Sequence, residues 1–237
     1  MKILAISDLH GNLDCFEDYL KDIDIVCIAG DICPLNGFTD FHVHNQKVWF
    51  ENNFNFLGNK YPNIQFILVP GNHDLFAIGA ERFRNSNNFS RKSWKFRLPK
   101  NVHLLIDSEI NINDLKIYGT PWVPPISHIW AFEADNDLLK TKFKKIPYSL
   151  DILLTHSPPY FPDSKIDISE HNFTHFGNVA LTQAILDKKP KYLFCGHIHT
   201  GDHNLVKIDQ TKCYNVSRLN EQYNISFEPL IIEIKSV

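Results

Sequence analysis

Apolar positions along this chain follow two rhythms. Short, nearly unbroken apolar runs occur at Ile3–Ile6, Ile25–Ala29, Ile64–Val69, Val102–Ile106, Leu115–Tyr118, Ile152–Thr155, Tyr192–Cys195, Lys212–Val216 and Leu230–Ile234. Runs of this length, bounded by Gly, Pro or Asp, read as buried strands. Between them the spacing turns helical. Leu13, Phe16, Tyr19 and Leu20 predict a helix behind Asn12 as its N-cap. Thr39 or Asp40 opens a long helix carrying Phe41, Val48, Trp49 and Phe56 and stopping near Gly58. Further helices are expected near Glu133–Lys142 and Val179–Lys188. The first half reads βαβαβ and the second half is richer in strands, the alternation of an α/β fold. No repeat, low-complexity tract or linker divides the sequence, so residues 1–237 are expected to form a single domain.

Two stretches interrupt the pattern. Arg82–Lys100 holds seven basic residues interleaved with Phe89, Trp94 and Phe96. Pro121–Phe132 holds three prolines with Trp122 and Trp130, which suit either the core or a rim where an aromatic stacks on a purine. A basic, aromatic loop can track a nucleic-acid backbone. The net charge of −3 disfavours that partner, leaving a solvated insertion as the preferred reading. Five cysteines, odd in number and without a C-x-x-C pair, argue against a disulfide framework and a zinc ribbon. The start carries nothing like a secretory signal, and no window is long and apolar enough to span a membrane. A cytoplasmic protein with no membrane partner is expected.

The chemistry gathers where strands end. The first run passes into Asp8-Leu9-His10, the second ends at Gly30-Asp31, and the third at Gly71-Asn72-His73-Asp74. The run Ile152–Thr155 ends at His156, and Tyr192–Cys195 at Gly196-His197-Ile198-His199. Ligands of open α/β sheets bind beyond the carboxyl ends of the strands, so these side chains are expected to converge. Imidazole and carboxylate donors without a thiol suit first-row divalent ions rather than a structural zinc. Asp8, His10, Asp31, Asn72, His156, His197 and His199 make seven donors, more than one ion with open positions needs. Two ions sharing a carboxylate, with Asp31 as the bridge, fit the number better and suit phosphoryl chemistry. The other histidines (His42, His44, His103, His128, His171, His175 and His203) read as surface or satisfied residues. His175–Asn178 reads as a capped helix start.

The ordered set D-x-H, G-D, G-N-H-D, H and G-H-x-H, running from Asp8 to His199, resembles the calcineurin-like metallophosphoesterase superfamily. The resemblance implies a four-layer α-β-β-α sandwich of two mixed sheets flanked by helices. It also implies two divalent transition-metal ions such as manganese, iron or zinc. Asp8, His10 and His199 would hold the first ion and Asn72, His156 and His197 the second, with Asp31 bridging. His73 would contact the phosphate and assist the leaving oxygen, and Asp74 is the candidate to orient it. Two adjacent cations lower the pKa of a bridging water to about 7, supplying hydroxide. The second aspartate and the arginine of the protein serine/threonine phosphatase branch are missing: Pro34 stands in the aspartate's place. Gly119–Trp122, Asp151–Pro159, Tyr214–Ser217 and Pro229–Ile232 are similar to the small "metallophosphoesterase domain-containing", foetal-brain protein-like branch. The implied activity is phosphodiester hydrolysis of a small, nucleotide-like and cyclic-nucleotide-like substrate. A phosphomonoesterase, a nuclease and a low-turnover metal-binding scaffold are the alternatives.

Overall fold

The computed structural model describes residues 1–77, 96–169 and 173–234. Two mixed sheets form its centre. In the first, β1 (Lys2–Ile6), β2 (Ile25–Ala29), β3 (Gln65–Val69) and β4 (Val102–Leu104) run parallel, and β11 (Leu230–Glu233) pairs antiparallel with β1. The second comprises β5 (Ser108–Ile112), β6 (Leu115–Thr120), β7 (Ile152–Thr155), β8 (Tyr192–Cys195), β9 (Val206–Ile208) and β10 (Thr211–Asn215). Their order across the sheet is β5-β6-β7-β8-β10-β9. The outer pairs β5·β6 and β9·β10 are antiparallel and the interior pairs parallel.

Alternate residues of each strand point to opposite faces, so a strand buried on both sides must be apolar throughout. One cluster brings Ile3, Ala5, Ile25, Cys27 and Ile67 of the first sheet against Ile117, Ile152, Leu154 and Phe194 of the second. The alternate residues Leu4, Ile6, Val26, Ile28 and Phe66 join a second cluster containing Phe50, Phe54 and Leu57 from helix α1 (Asp40–Lys60). On the other sheet Leu153 and Leu193 belong to the same cluster as Leu139 and Phe143 of α2 (Asn136–Lys144) and Leu181 and Ile185 of α3 (Val179–Lys188). The layers are therefore helix, sheet, sheet, helix, as the resemblance implied. Asp135 caps α2 by accepting from Leu138 N–H, and Asn178 caps α3 by accepting from Ala180 and Leu181 N–H.

Several local expectations change. The predicted helix behind Asn12 is a single 3₁₀ turn, Phe16–Tyr19, because Cys15 sits at φ +56° and no helix runs through a left-handed residue. In α1 the inward face is Val43, Gln46, Phe50, Phe54 and Leu57, whereas Phe41, Val48 and Phe56 face solvent. That helix ends at Lys60, two residues past Gly58 and so near the expected stop. A Cβ on Gly58 would lie 2.8 Å from both Pro99 and Val102, so glycine answers to close packing. Strands β5 and β9 were not expected. Of the basic stretch Arg82–Lys100, residues 82–95 lie outside the described residues. Among the described residues no helix is long and apolar enough to cross a membrane.

Candidate metal centre

All seven expected donors gather at the carboxyl ends of β1, β2, β3, β7 and β8. The turns that deliver them are unusual: Asp8, His10, Asp31 and His197 have φ of +54°, +45°, +51° and +73°. Left-handed non-glycine residues are uncommon and persist where surrounding contacts hold them. Here Asp8 N–H donates to Gly30 O (3.0 Å) and His10 N–H to Asp31 O (2.8 Å), tying the first two turns together. Gly30, at φ +99°, lets the backbone approach His156, since a Cβ would lie 2.2 Å from its Nδ1. Gly196 does the same for Asp8, whose Oδ2 would be 2.2 Å from such a Cβ.

The donors form two groups around one carboxylate. In the first, His199 Nε2 lies 3.3 Å from Asp8 Oδ1 and 3.3 Å from His10 Nε2. In the second, His156 Nε2 lies 2.9 Å from Asn72 Oδ1, with the His197 ring 5.0 Å from the His156 ring. Asp31 stands between them: Oδ2 is 3.7 Å from His10 Nε2 and Oδ1 is 3.4 Å from His156 Nε2. Asp8 and His156 are fully buried, and Asp31 and Asn72 nearly so.

Backbone carbonyls aim the rings. His156 Nδ1 donates to Ala29 O (2.9 Å) and His199 Nδ1 to Asn220 O (3.0 Å). A carbonyl only accepts, so each Nδ1 carries the hydrogen and each Nε2 turns to the centre, the arrangement usual for metal-ligating imidazoles. Asp8 accepts from His197 N–H (3.0 Å), and the Ser217 hydroxyl lies 2.7 Å from its Oδ2.

Electrostatics tests whether cations suit the place. Burial opposes charge on Asp8, but His199 and His156 outweigh it and hold the carboxyl well below its usual range. Burial likewise opposes charge on Asp31, and His156 and His73 more than compensate. Burial drives His10 down to about 4 and His197 to about 3. For His156 the Asp31 carboxylate overcomes burial and raises the ring to about 9, and for His199 Asp8 does the same, also to about 9. Two ionised carboxylates are thus balanced by two protonated imidazoles whose Nε2 atoms face the centre. The all-N/O donor set fits first-row divalent ions, which would take the place of those two protons.

His73 and Asp74 depart from expectation in one respect. Asp74 accepts from Gly71 (2.7 Å), Ile32 (3.0 Å) and Cys33 (2.9 Å) N–H groups. Burial and the Asp31 charge push its carboxyl up to about 7. It therefore clasps the turn after β2 to the turn after β3. What lies on the His73 ring is Trp130, stacked at 4.4 Å and 23°, with His10 edge-on at 4.7 Å. The expectation that Asp74 orients His73 gives way to this geometry.

A cleft of about 360 Å³ opens above the donors, with Ile126, Trp130, Phe176, Glu221 and Tyr223 among its walls. Trp122 instead fills core, donating Nε1–H to Asp107 (2.9 Å). His203 stands behind Ser217 rather than among the donors: its Nε2 donates to the carbonyl of Ser217 (2.9 Å), whose hydroxyl meets Asp8, and its ring stacks on Phe227. Sequence reasoning assigned no role to Ser217, Asn220, Glu221 or Tyr223. Ser217 lies two residues past the end of β10, but a serine is not among the Asp, Asn and His donors by which the strand ends were read.

Residues 1–201 match the sequence profile of the family described as calcineurin-like phosphoesterase. A UPF0046 protein of Caenorhabditis elegans is 26% identical over 239 residues, spanning 99% of this chain and 81% of its own length. The human metallophosphoesterase domain-containing protein 1 is 24% identical over 251 residues, spanning 98% of this chain and 71% of its own. Among solved structures, TT1561 of Thermus thermophilus superposes with a TM-score of 0.60 at 15% identity, over 90% of this chain and 88% of that one. That likeness is one of fold.

Proposed function

Since this chain belongs to the calcineurin-like phosphoesterase family, we propose that it hydrolyses phosphodiesters of small nucleotide-like molecules with the help of two divalent ions. Asp8, His10 and His199 would hold one ion and Asn72, His156 and His197 the other, with Asp31 placed to serve both. The observation that carries this reading is the position of Asp31, with one oxygen toward His10 (3.7 Å) and the other toward His156 (3.4 Å). When bound, such ions neutralise charge on phosphoryl oxygens and acidify water near neutral pH.

The chain's own groups do the rest. The carbonyls of Ala29 and Asn220 keep two imidazoles turned to the centre. His73 stands at the cleft beside Asp31, Nε2 to Oδ2 3.9 Å, where its N–H would face a phosphate oxygen or the leaving oxygen of a bound substrate. In the reaction a water oxygen forms a new bond to phosphorus as the ester P–O bond breaks. His73 gives its proton to the departing alkoxide, and the water's proton leaves to solvent, from which His73 is reprotonated. The walls Phe176 and Tyr223 support a substrate with a flat, weakly polar group beside its phosphate. Four buried free cysteines, with burial raising the Cys27 thiol to about 12, suit a reducing, cytoplasmic setting. We read residues 1–237 as one catalytic domain.

The test is hydrolysis of bis-p-nitrophenyl phosphate against p-nitrophenyl phosphate, with and without manganese. Faster metal-dependent cleavage of the diester is expected. Preference for the monoester would make the protein a phosphomonoesterase. Turnover of neither with any divalent ion would leave the scaffold reading.

A further inference from the structure

The loop that joins β6 to α2 buries Trp122, Val123, Ala131 and Phe132 at its base, and its exposed outer part is closely tied as well. Ile126 to Ile129 are exposed, and what organises them is a carboxylate. Glu133 Oε1 accepts from the N–H groups of Ile126, Ser127 (2.8 Å) and His128 (3.0 Å), and Oε2 accepts from Trp130 N–H (2.9 Å). The loop's base is closed by Val123 N–H to Phe132 O (3.1 Å) and Ala134 N–H to Val123 O (3.0 Å). Its far side is pinned where it matters for the site: Ala131 N–H donates to the carbonyl of Asn72 (3.0 Å), the residue before His73. Phe132, at φ +56°, turns the chain so that half-buried Trp130 lies on the His73 ring, centroids 4.4 Å apart and planes 23° from parallel. Phe38 closes on the indole edge-on at 5.1 Å.

From this geometry we infer that Trp130 is a positioning residue for His73, held in place by the Glu133 clasp. The inference rests on the reading above, in which His73 serves the leaving oxygen. An imidazole with its own carboxylate partner is fixed by a hydrogen bond; here Asp74 is occupied by three backbone N–H groups. Asp31 Oδ2 comes to 3.9 Å of Nε2, beyond hydrogen-bond distance, and one face of the His73 ring is fixed by stacking on Trp130. Loss of the indole lets the ring leave its productive rotamer, and the contribution of the proton donor shrinks while binding of ions does not.

The experiment uses the full chain loaded with manganese for kinetics and zinc for spectroscopy, with Trp130→Ala, Trp130→Phe and Glu133→Ala. Indole ring current displaces the His73 ring C–H proton resonances, which are assigned by their loss in His73→Ala. In Trp130→Ala and Glu133→Ala those resonances are expected to move to free-imidazole positions, and Trp130→Phe to retain part of the displacement. For kinetics, methyl phenyl phosphate is compared with methyl p-nitrophenyl phosphate, whose leaving oxygen needs less protonation. Trp130→Ala is expected to lower kcat about tenfold on the phenyl ester, a fraction of the total general-acid effect, with KM and metal content unchanged. The nitrophenyl ester should scarcely respond, and Trp130→Phe should recover most of the loss. Unmoved His73 resonances would overturn the inference. So would a rise in KM at constant kcat, which makes Trp130 a substrate wall, or equal losses on both esters with falling metal content. If the resonances move but His73→Ala shows no dependence on leaving group, the stack stands and the assigned role of His73 fails.

Discussion

Two recesses of nearly equal size open on this molecule, and they are made of opposite materials. The cleft above the seven donors encloses about 360 Å³, and a groove between α2 and α3 about 370 Å³. The groove has Phe143 and Ala184 in its lining, with Lys140, Lys144 and Lys188 around them. Its charges sit on chains that settle locally: Lys188 Nζ rests 3.6 Å above the Tyr148 ring and 3.1 Å from Asp187, and Lys140 pairs with Asp137. In the cleft Asp8, Asp31, Asn72 and His156 are withdrawn from water and locked by carbonyls, N–H groups and one another. Burying charge is expensive, so an assembly of buried, opposed charges is maintained only where something compensates it. Volume does not distinguish the two recesses. Convergence of buried donors does.

The contrast breaks most severely at its centre. Asp31→Ala is expected to abolish uptake of both ions and bring turnover down to the level without metal, read by elemental analysis and by manganese-dependent hydrolysis. His73→Ala should lower kcat by about 10²–10⁴-fold, the usual share of a proton donor, while metal content stays near normal. Equal loss of metal and activity would make His73 structural. Ser217→Ala removes the hydroxyl beside Asp8 Oδ2 and should weaken metal affinity about 10–100-fold, measured by competition with a chelating dye.

Acidity gives a milder handle. In the metal-free protein His156 and His199 hold protons up to about pH 9, above the usual 6.5. Their stabilising contribution is complete below 6.5 and is lost as pH rises through about 9. Metal must displace those protons, so affinity for each ion should rise about tenfold per pH unit until that range and then level off. Calorimetry in buffers of different ionisation enthalpy should register the released protons. The smallest effect belongs to the other recess: Lys140→Glu with Lys144→Glu is expected to leave metal content and turnover within about twofold of the parent, as surface changes do. A large loss there would erase the distinction between the two recesses.

The interior parallel strands could be read from sequence because burial on both faces demands unbroken apolar runs, and their sudden ends at Asp, Asn and His marked the donors. Edge strand β5, with its alternation of half-buried and exposed residues, carries no such run, and β9 has only Val206 and Ile208 buried. The inward face of α1 was misjudged since it includes Gln46, whose side chain donates to Pro34 and His73 carbonyls, while three large apolar residues face solvent. Adjacency suggested that Asp74 serves His73; three backbone N–H groups claimed it instead, and backbone partners leave no trace in side-chain spacing. The same holds for the carbonyls of Ala29 and Asn220. Whether Trp130 lies at the rim or in the core is set by the Glu133 clasp, which depends on how a loop closes and has no signature in the sequence.

The central claim is that these donors hold two ions around Asp31. Anomalous diffraction from crystals grown with manganese tests it directly. Two peaks are expected, one among Asp8, His10 and His199 and one among Asn72, His156 and His197, both within ligand distance of Asp31. A single peak, or none within reach of these residues in crystals that carry manganese, would contradict it.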